Sequence, residues 1–231
     1  MAEPRFNADS TETLPKSFNI FWLGQGLSAI GDAMTVVALP LVVLAETGSV
    51  TQMGRLTAFA RTGALLATAG AGFVVDSWRP RRVMMACDAA RWVLLALLPL
   101  AALLEFHRLW LLSVVALGAA FAQGIFYVGH VSLVAELVGR ARVNLANSRI
   151  EGTIALAYVF GPLLAGVLSA RFGATSVLGF DSATFLASLL SLYLMTRASV
   201  APSAAPEPTP EAAPSLTRAL GLAGLRFIRG Q

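Results

Sequence analysis

Long apolar runs, broken by short polar stretches, set the character of this chain. An α-helix rises 1.5 Å per residue, so about 20 apolar residues cross the roughly 30 Å of hydrocarbon in a bilayer. Six stretches meet that length, at about 18–44, 52–75, 82–104, 110–134, 149–170 and 174–196. The pattern therefore predicts an all-α polytopic membrane protein with six transmembrane helices. The polar breaks carry the second signal. If the spans alternate in direction, one side collects Arg5, Lys16, Arg79, Arg81, Arg140, Arg142, Arg197, Arg218, Arg226 and Arg229, while the other collects Arg108 and Arg171. Arg82 and Arg149, at the starts of two spans, add to the rich side. Because cytoplasmic loops carry the excess of Lys and Arg, both termini are expected inside the cell, with the chain in the plasma membrane.

Composition agrees. Of 231 residues, 56% are hydrophobic and 13% charged, and the mean hydropathy is +0.70, values that place the chain outside the usual soluble balance. The net charge of +4 reflects arginines lying between hydrophobic runs without interleaved aromatics, so it reports topology rather than a nucleic-acid surface. Cys87 is the only cysteine and lies within a run, which excludes a disulfide framework and a cysteine metal cluster. No metal and no cofactor is expected. Residues 1–17 are polar and the run after them is too long for a cleavable signal, so the first helix is expected to be retained behind a short cytoplasmic tail.

Past the sixth span, residues 197–215 are rich in Pro and Ala and read as an extended cytoplasmic linker. Residues 216–231 regain helical spacing at Leu216, Leu220, Ala223 and Phe227, with Arg218, Arg226 and Arg229 available for headgroups; this is either an amphipathic segment on the inner leaflet or a frayed tail. Within the membrane domain an internal repeat is visible. "RRVMMACDAARWVLLALL" opens the third span and "RFGATSVLGFDSATFLASLL" the sixth, each with Arg, a short apolar lead, an Asp and a long apolar run. Asp88 thus corresponds to Asp181, and spans 1–3 and 4–6 would be an inverted 3+3 repeat.

Two motifs carry a resemblance. "GFVVDSWRPRRVM" is similar to the loop between spans two and three of the major facilitator superfamily: Gly72, Asp76, Arg79, Arg81 and Arg82 match, whereas Ser77 stands where a basic residue is usual. "AYVFGPLLAGVL" resembles the antiporter motif of that superfamily's exporters through Gly161, Pro162, Ala165 and Gly166, with Ala157 and Ser148 at positions more often glycine. With the first span and the closing "GLRFIRG", the chain resembles the drug and siderophore exporter branch, which includes enterobactin-exporter-like and macrolide-efflux-like proteins, over residues 18–231. Members of that branch have twelve spans. The resemblance therefore implies an N-terminal six-helix half, joined in a full-length form or as a second chain to another half. It also implies efflux of a small amphipathic compound by alternating access, with protons as coupling ion.

The residues supply candidates for that chemistry. The arginine loop either latches one conformation, with Glu136 as its carboxylate partner, or anchors topology alone. Small residues around Pro162 are expected to let a neighbouring helix pack at a bend. Asp32 lies mid-span, where a charge costs about 2.5–3.5 kcal/mol on insertion scales, and Arg61 in the second span is its expected partner. That pair would be either a proton-responsive switch or a permanent tie between helices. Asp88 and Arg91 are expected near enough to the end of their helix to reach the interface, in a structural role. Gln123 and Tyr127, four apart, are placed to line a cavity, and His130 reads as a buried hydrogen-bonded residue more than a relay. The Gln123-Gly124 pair resembles a superfamily motif whose preceding arginine is replaced here by Ala120. Neither a phosphate-binding glycine loop with lysine nor an HExxH is present, so ATP hydrolysis and the commonest membrane metalloprotease chemistry are not expected. A secondary transporter, not an enzyme, is the reading; a six-span scaffold or regulatory protein is the alternative.

Overall fold

The computed structural model of the chain describes residues 13–104 and 109–198, with side chains given outside 70–77 and 196–198. The tail to residue 12, the linker from 199 and the amphipathic segment lie outside the described residues. Among the described residues there are six α-helices and no strand: α1 (Lys16–Thr47), α2 (Val50–Ser77), α3 (Pro80–Leu103), α4 (Leu109–Val138), α5 (Val143–Phe172) and α6 (Ala174–Ala198). A single 3₁₀ turn, Arg140–Arg142, separates α4 from α5.

Five of these, α1, α3, α4, α5 and α6, are long and apolar enough to cross a membrane. The stretch expected as the second span is the 28-residue helix α2, which is not one of those five among the described residues. Its described stretch is more polar, with Arg55, Arg61 and four threonines, three of which return their hydroxyls to carbonyls three or four residues back. The chain is a multi-pass membrane protein.

The links are tight. Gly48 takes φ 63° and returns its N–H to Leu44 O at 2.8 Å, closing α1 with a left-handed residue. Gly139 adopts φ 72°, ψ 162°, a region essentially reserved for glycine, and ends α4. Pro80 is the first residue of α3, where its missing N–H costs nothing. The break expected over 135–148 is therefore far shorter, because both flanking helices continue past their apolar runs.

Two apolar clusters show how the helices run. One joins Phe18 of α1, Ala67 of α2, Met84 of α3, Val134 of α4, Ala146 of α5 and Leu192 of α6. The other joins Val43, Leu56, Leu98, Leu112, Ala165 and Val177 of the same six helices in order. Each cluster takes the start of one helix and the end of the next, so consecutive helices alternate in direction. α1 packs mainly on α6 and α5, α4 on α2 and α3, and α3 meets α6.

Lipid is as apolar as leucine, so helix association in a membrane rests on close approach and polar contacts more than on burial. Gly31 of α1 lies so near α6 that a Cβ there would collide with Asp181 and Thr184. Gly161 of α5 lies against α1, where an added Cβ would stand 2.5 Å from the Ala33 Cβ. With Ala157 and Ala165, both buried, Gly161 forms a stripe of small residues one turn apart facing α1. The rest of the antiporter-like motif departs from expectation. Pro162 and Gly166 lie on the other side of α5, exposed, and nothing among the described residues comes within 4 Å of a Cβ built at Gly166. α5 continues unbroken from Val143 to Phe172 through Pro162.

Candidate functional site: a cavity beside a buried ion pair

On three helices the same spacing points polar and aromatic residues to one place. α1 contributes Trp22, Gln25, Gly26, Ala29 and Asp32; α4 contributes Gln123, Phe126, Tyr127 and His130; α5 contributes Asn147, Ile150, Glu151 and Ile154. Steps of three and four put each set on a single helical face. With Arg91 from α3 they enclose a cavity of about 260 Å³.

Asp32 and Arg91 meet in the wall of this cavity. The guanidinium Nη2 donates to Asp32 Oδ1, and Nη1 stands 3.8 Å from Asp88 Oδ1. The Phe185 ring lies 4.0 Å from the guanidinium carbon, within cation–π range. The Arg91 side chain is 5% exposed and that of Asp32 28%.

This geometry corrects two expectations. The partner of Asp32 is Arg91 and not Arg61. The packed face of α2 runs through Leu56, Gly63 and Ala67 toward α4, leaving Arg61 off that face, exposed and without an ion pair among the described residues. Nor do Asp88 and Arg91 reach the interface. They sit about 12 and 16 Å along α3 from Pro80, at 0% and 4% exposure. Their solvation is supplied by protein: Asp88 Oδ2 accepts from Ser188 Oγ at 2.5 Å, and Ser188 in turn accepts from Gln25 Nε2 at 2.8 Å. Asp88 Oδ1 is buried with no hydrogen-bond donor. Asp181, at 0% exposure, accepts from Thr35 at 2.5 Å through Oδ2, and Thr184 Oγ1 lies 3.2 Å from its Oδ1.

Gln123 and Tyr127 line the cavity. His130 lines it too, with ring centroids 5.4 Å from Phe21, 6.3 Å from Phe126 and 6.5 Å from Tyr127, and the expected hydrogen bond is not found among the described residues. The arginine loop is elsewhere. Arg79 caps the start of α3 and is exposed, as is Arg82, while Arg81 Nε donates to Leu192 O of α6 at 2.6 Å. Glu136 is exposed and forms no ion pair among the described residues, so the expected arginine partnership is absent. Gly72 and Asp76 fall where no side chains are described.

The model of the Major Facilitator Superfamily matches residues 21–230. The chain belongs to that superfamily. Among curated proteins it is similar to the multidrug efflux pump Tap of Mycobacterium tuberculosis and Mycobacterium bovis, 30% identical over 172 residues, which cover 72% of this chain and 41% of the relative. The Tap pump of Mycolicibacterium fortuitum is 29% identical over 170 residues, 71% of this chain and 42% of the relative. The alignment thus spans about two-fifths of those pumps. Superfamily membership makes the chain a transporter-type membrane protein and not an enzyme.

Sequence reasoning missed Trp22, Gln25, Asn147, Glu151, Thr153 and Ser188. The signal was present for Trp22 and Gln25, in the three- and four-residue spacing that leads to Asp32 on α1, whereas polar residues near the start of α5 look like ordinary solvation. For Ser188, buried in a serine-rich helix, nothing in the pattern marked it.

Proposed function

We propose that this chain forms a six-helix half of a secondary active exporter, which moves a small amphipathic compound out of the cell against protons by alternating access. The supporting observation is a cavity bordered by an intramembrane Asp32–Arg91 pair in a superfamily member whose relatives include multidrug efflux pumps. The wall behind the pair favours a proton-carrying role. Three carboxyl groups, Asp32, Asp88 and Asp181, lie in the α1–α3–α6 seam, where Arg91 contacts the first two and Asp181 is held by Thr35 and Thr184, and burying an unpaired carboxylate is costly. The seam is neutral only with two of the three protonated. Asp32 is the member that reaches the cavity, so it is the coupling carboxylate: protonation weakens its hold on Arg91 and shifts the balance between access states.

The same reading places the arginine-rich ends in the cytoplasm of a cell-membrane protein, with Gly72, Asp76, Arg79, Arg81 and Arg82 as the gating loop. It treats α1–α3 and α4–α6 as inverted units. Exchanging α1 with α4, α2 with α5 and α3 with α6 converts the α1–α5 and α1–α6 contacts into α4–α2 and α4–α3, the other main pairs. A second half, covalent or separate, would complete the cavity.

The test is efflux of an amphipathic dye from vesicles carrying the full reading frame that contains this chain. Imposed proton gradients are expected to drive it, and Asp32→Asn to remove that dependence. Flux indifferent both to collapse of the gradient and to Asp32→Asn would refute the coupling assignment.

A further inference from the structure

We propose that Asp88 is a second station for the Arg91 guanidinium, which passes from Asp32 to Asp88 when Asp32 takes up a proton, so that a tie between α1 and α3 becomes a contact within α3. The inference deepens the coupling role proposed for Asp32 and rests on that reading for its biological meaning. Its physical basis is one unmet hydrogen-bond acceptor.

That acceptor is Asp88 Oδ1. It is buried and no donor reaches it, although a buried polar atom without a partner is costly and rare. The other oxygen of the same carboxyl is engaged: Oδ2 accepts from Ser188 Oγ at 2.5 Å, and Ser188 is held from α1 by Gln25 Nε2 at 2.8 Å. The carboxyl is thus clamped with Oδ1 left for Arg91, whose Nη1 stands 3.8 Å away, about 1 Å beyond hydrogen-bond length. Helix geometry supplies the short path. Arg91 follows Asp88 by three residues, and a long side chain on a helix points back over the preceding turn. The Phe185 ring, 4.0 Å from the guanidinium carbon, offers a flat face along which the planar cation slides without losing contact.

Charge gives the direction. While Asp32 is ionised, Arg91 Nη2 donates to it and bridges α3 to α1. A proton arriving from the cavity forms an O–H bond on Asp32 and cancels that attraction. Arg91 keeps all its protons and moves its N–H contact to Asp88, so no other covalent bond is made or broken. Asp181 does not compete: it is held by Thr35 and Thr184 and makes no ion pair among the described residues. With Asp181 protonated, the seam then sets one carboxylate, Asp88, against one guanidinium and is neutral.

The experiment follows the infrared band of the protonated Asp32 carboxyl, assigned by its loss in Asp32→Asn, while the purified full chain in detergent is acidified. Asp88→Asn keeps an oxygen for Ser188 but removes the charge that receives Arg91. The cation then holds Asp32 ionised, and the midpoint should fall by about one pH unit, roughly tenfold in proton affinity. The other titratable groups around Asp32 are Asp181 on α6, His130 on α4 and Glu151 on α5; Cys87 adjoins Asp88 on α3, and Arg55 and Arg61 of α2 are exposed. All are kept in the variant, so the shift reads Asp88. An unmoved midpoint overturns the proposal. A cycle of unfolding midpoints checks it separately. Asp32→Asn leaves Arg91 its second station and Asp88→Asn leaves it the first, so each alone should lower the midpoint little, whereas the double variant strands the guanidinium and should lose more than the sum. Additive losses overturn the proposal as well. No gradient or flux enters either measurement. An exchange seen in a chain that moves no dye would sink the exporter reading alone; proton-driven efflux with an Asp32 titration indifferent to Asp88 would sink this one alone.

Discussion

Arg91 ties three helices together from one side chain: Asp32 on α1, Asp88 one turn back on α3, and the Phe185 ring on α6. Breaking a buried pair by removing one partner leaves an uncompensated charge, which costs about 3–5 kcal/mol. Arg91→Leu should therefore lower the thermal unfolding midpoint sharply in detergent. The double variant Asp32→Asn with Arg91→Gln should regain most of the loss, because the Asp32 charge left behind by Arg91 is removed as well; a double variant as unstable as the single would show that the pair is not the source. Asp88 gives a contrasting case. Asn in its place can still accept from Ser188, so Asp88→Asn should be mild, whereas Asp88→Leu strands the Ser188 hydroxyl and should cost about 1–3 kcal/mol. That Asp32 needs a partner is legible from its mid-span position. Which arginine supplies it is not, since helical phase gives the face a residue occupies but not the helix opposite that face. Distance from the end of a run likewise says little about burial: Asp88 lies two turns into α3 yet is enclosed by protein on every side.

At the scale of elements, α1 is gripped between α6 at Gly31 and α5 at Gly161. Adding side-chain volume to such a contact forces the helices apart, at about 1–3 kcal/mol. Gly161→Val should thus lower the unfolding midpoint, while Gly166→Val, which meets nothing among the described residues, should change the stability of this bundle by no more than about 0.5 kcal/mol. Equal losses in both would mean that the two glycines act through the backbone of α5 and not through packing. The helices themselves were largely readable from hydropathy, with one systematic difference. Hydropathy falls where lipid would end, whereas helical hydrogen bonding stops where the backbone forces it to, as at Gly48 and Gly139. Hence α4 and α5 reach to within four residues of each other across a stretch rich in polar side chains. The site was half legible for a related reason. Gln123 and Tyr127 stand out as polar residues in a greasy helix, but Glu151 lies near the start of α5, where a charge looks like ordinary solvation until the facing helices are known.

For the molecule as a whole, direction follows from connectivity. α5 and α6 are joined through Gly173 alone, and α2 and α3 through Trp78 and Arg79, and the two apolar clusters gather opposite ends of successive helices. Arg79, Arg82, Arg140 and Arg142 therefore share one end of the bundle, and Arg171 marks the other. Repulsion from the outer leaflet's side of the potential and attraction to anionic lipids on the inner one should keep the crowded end in the cytoplasm. Single cysteines test this in a Cys87→Ala background, which removes the one native thiol. Both Arg140 and Arg171 are exposed, so Arg140→Cys and Arg171→Cys present reachable thiols without disturbing the core. A membrane-impermeant maleimide added to intact cells should label position 171, and position 140 only after the cells are opened. The reverse pattern would invert the bundle. It would place the arginine loop on the outer face, where it has no cytoplasmic gate to hold, and would take the proposed direction of export with it.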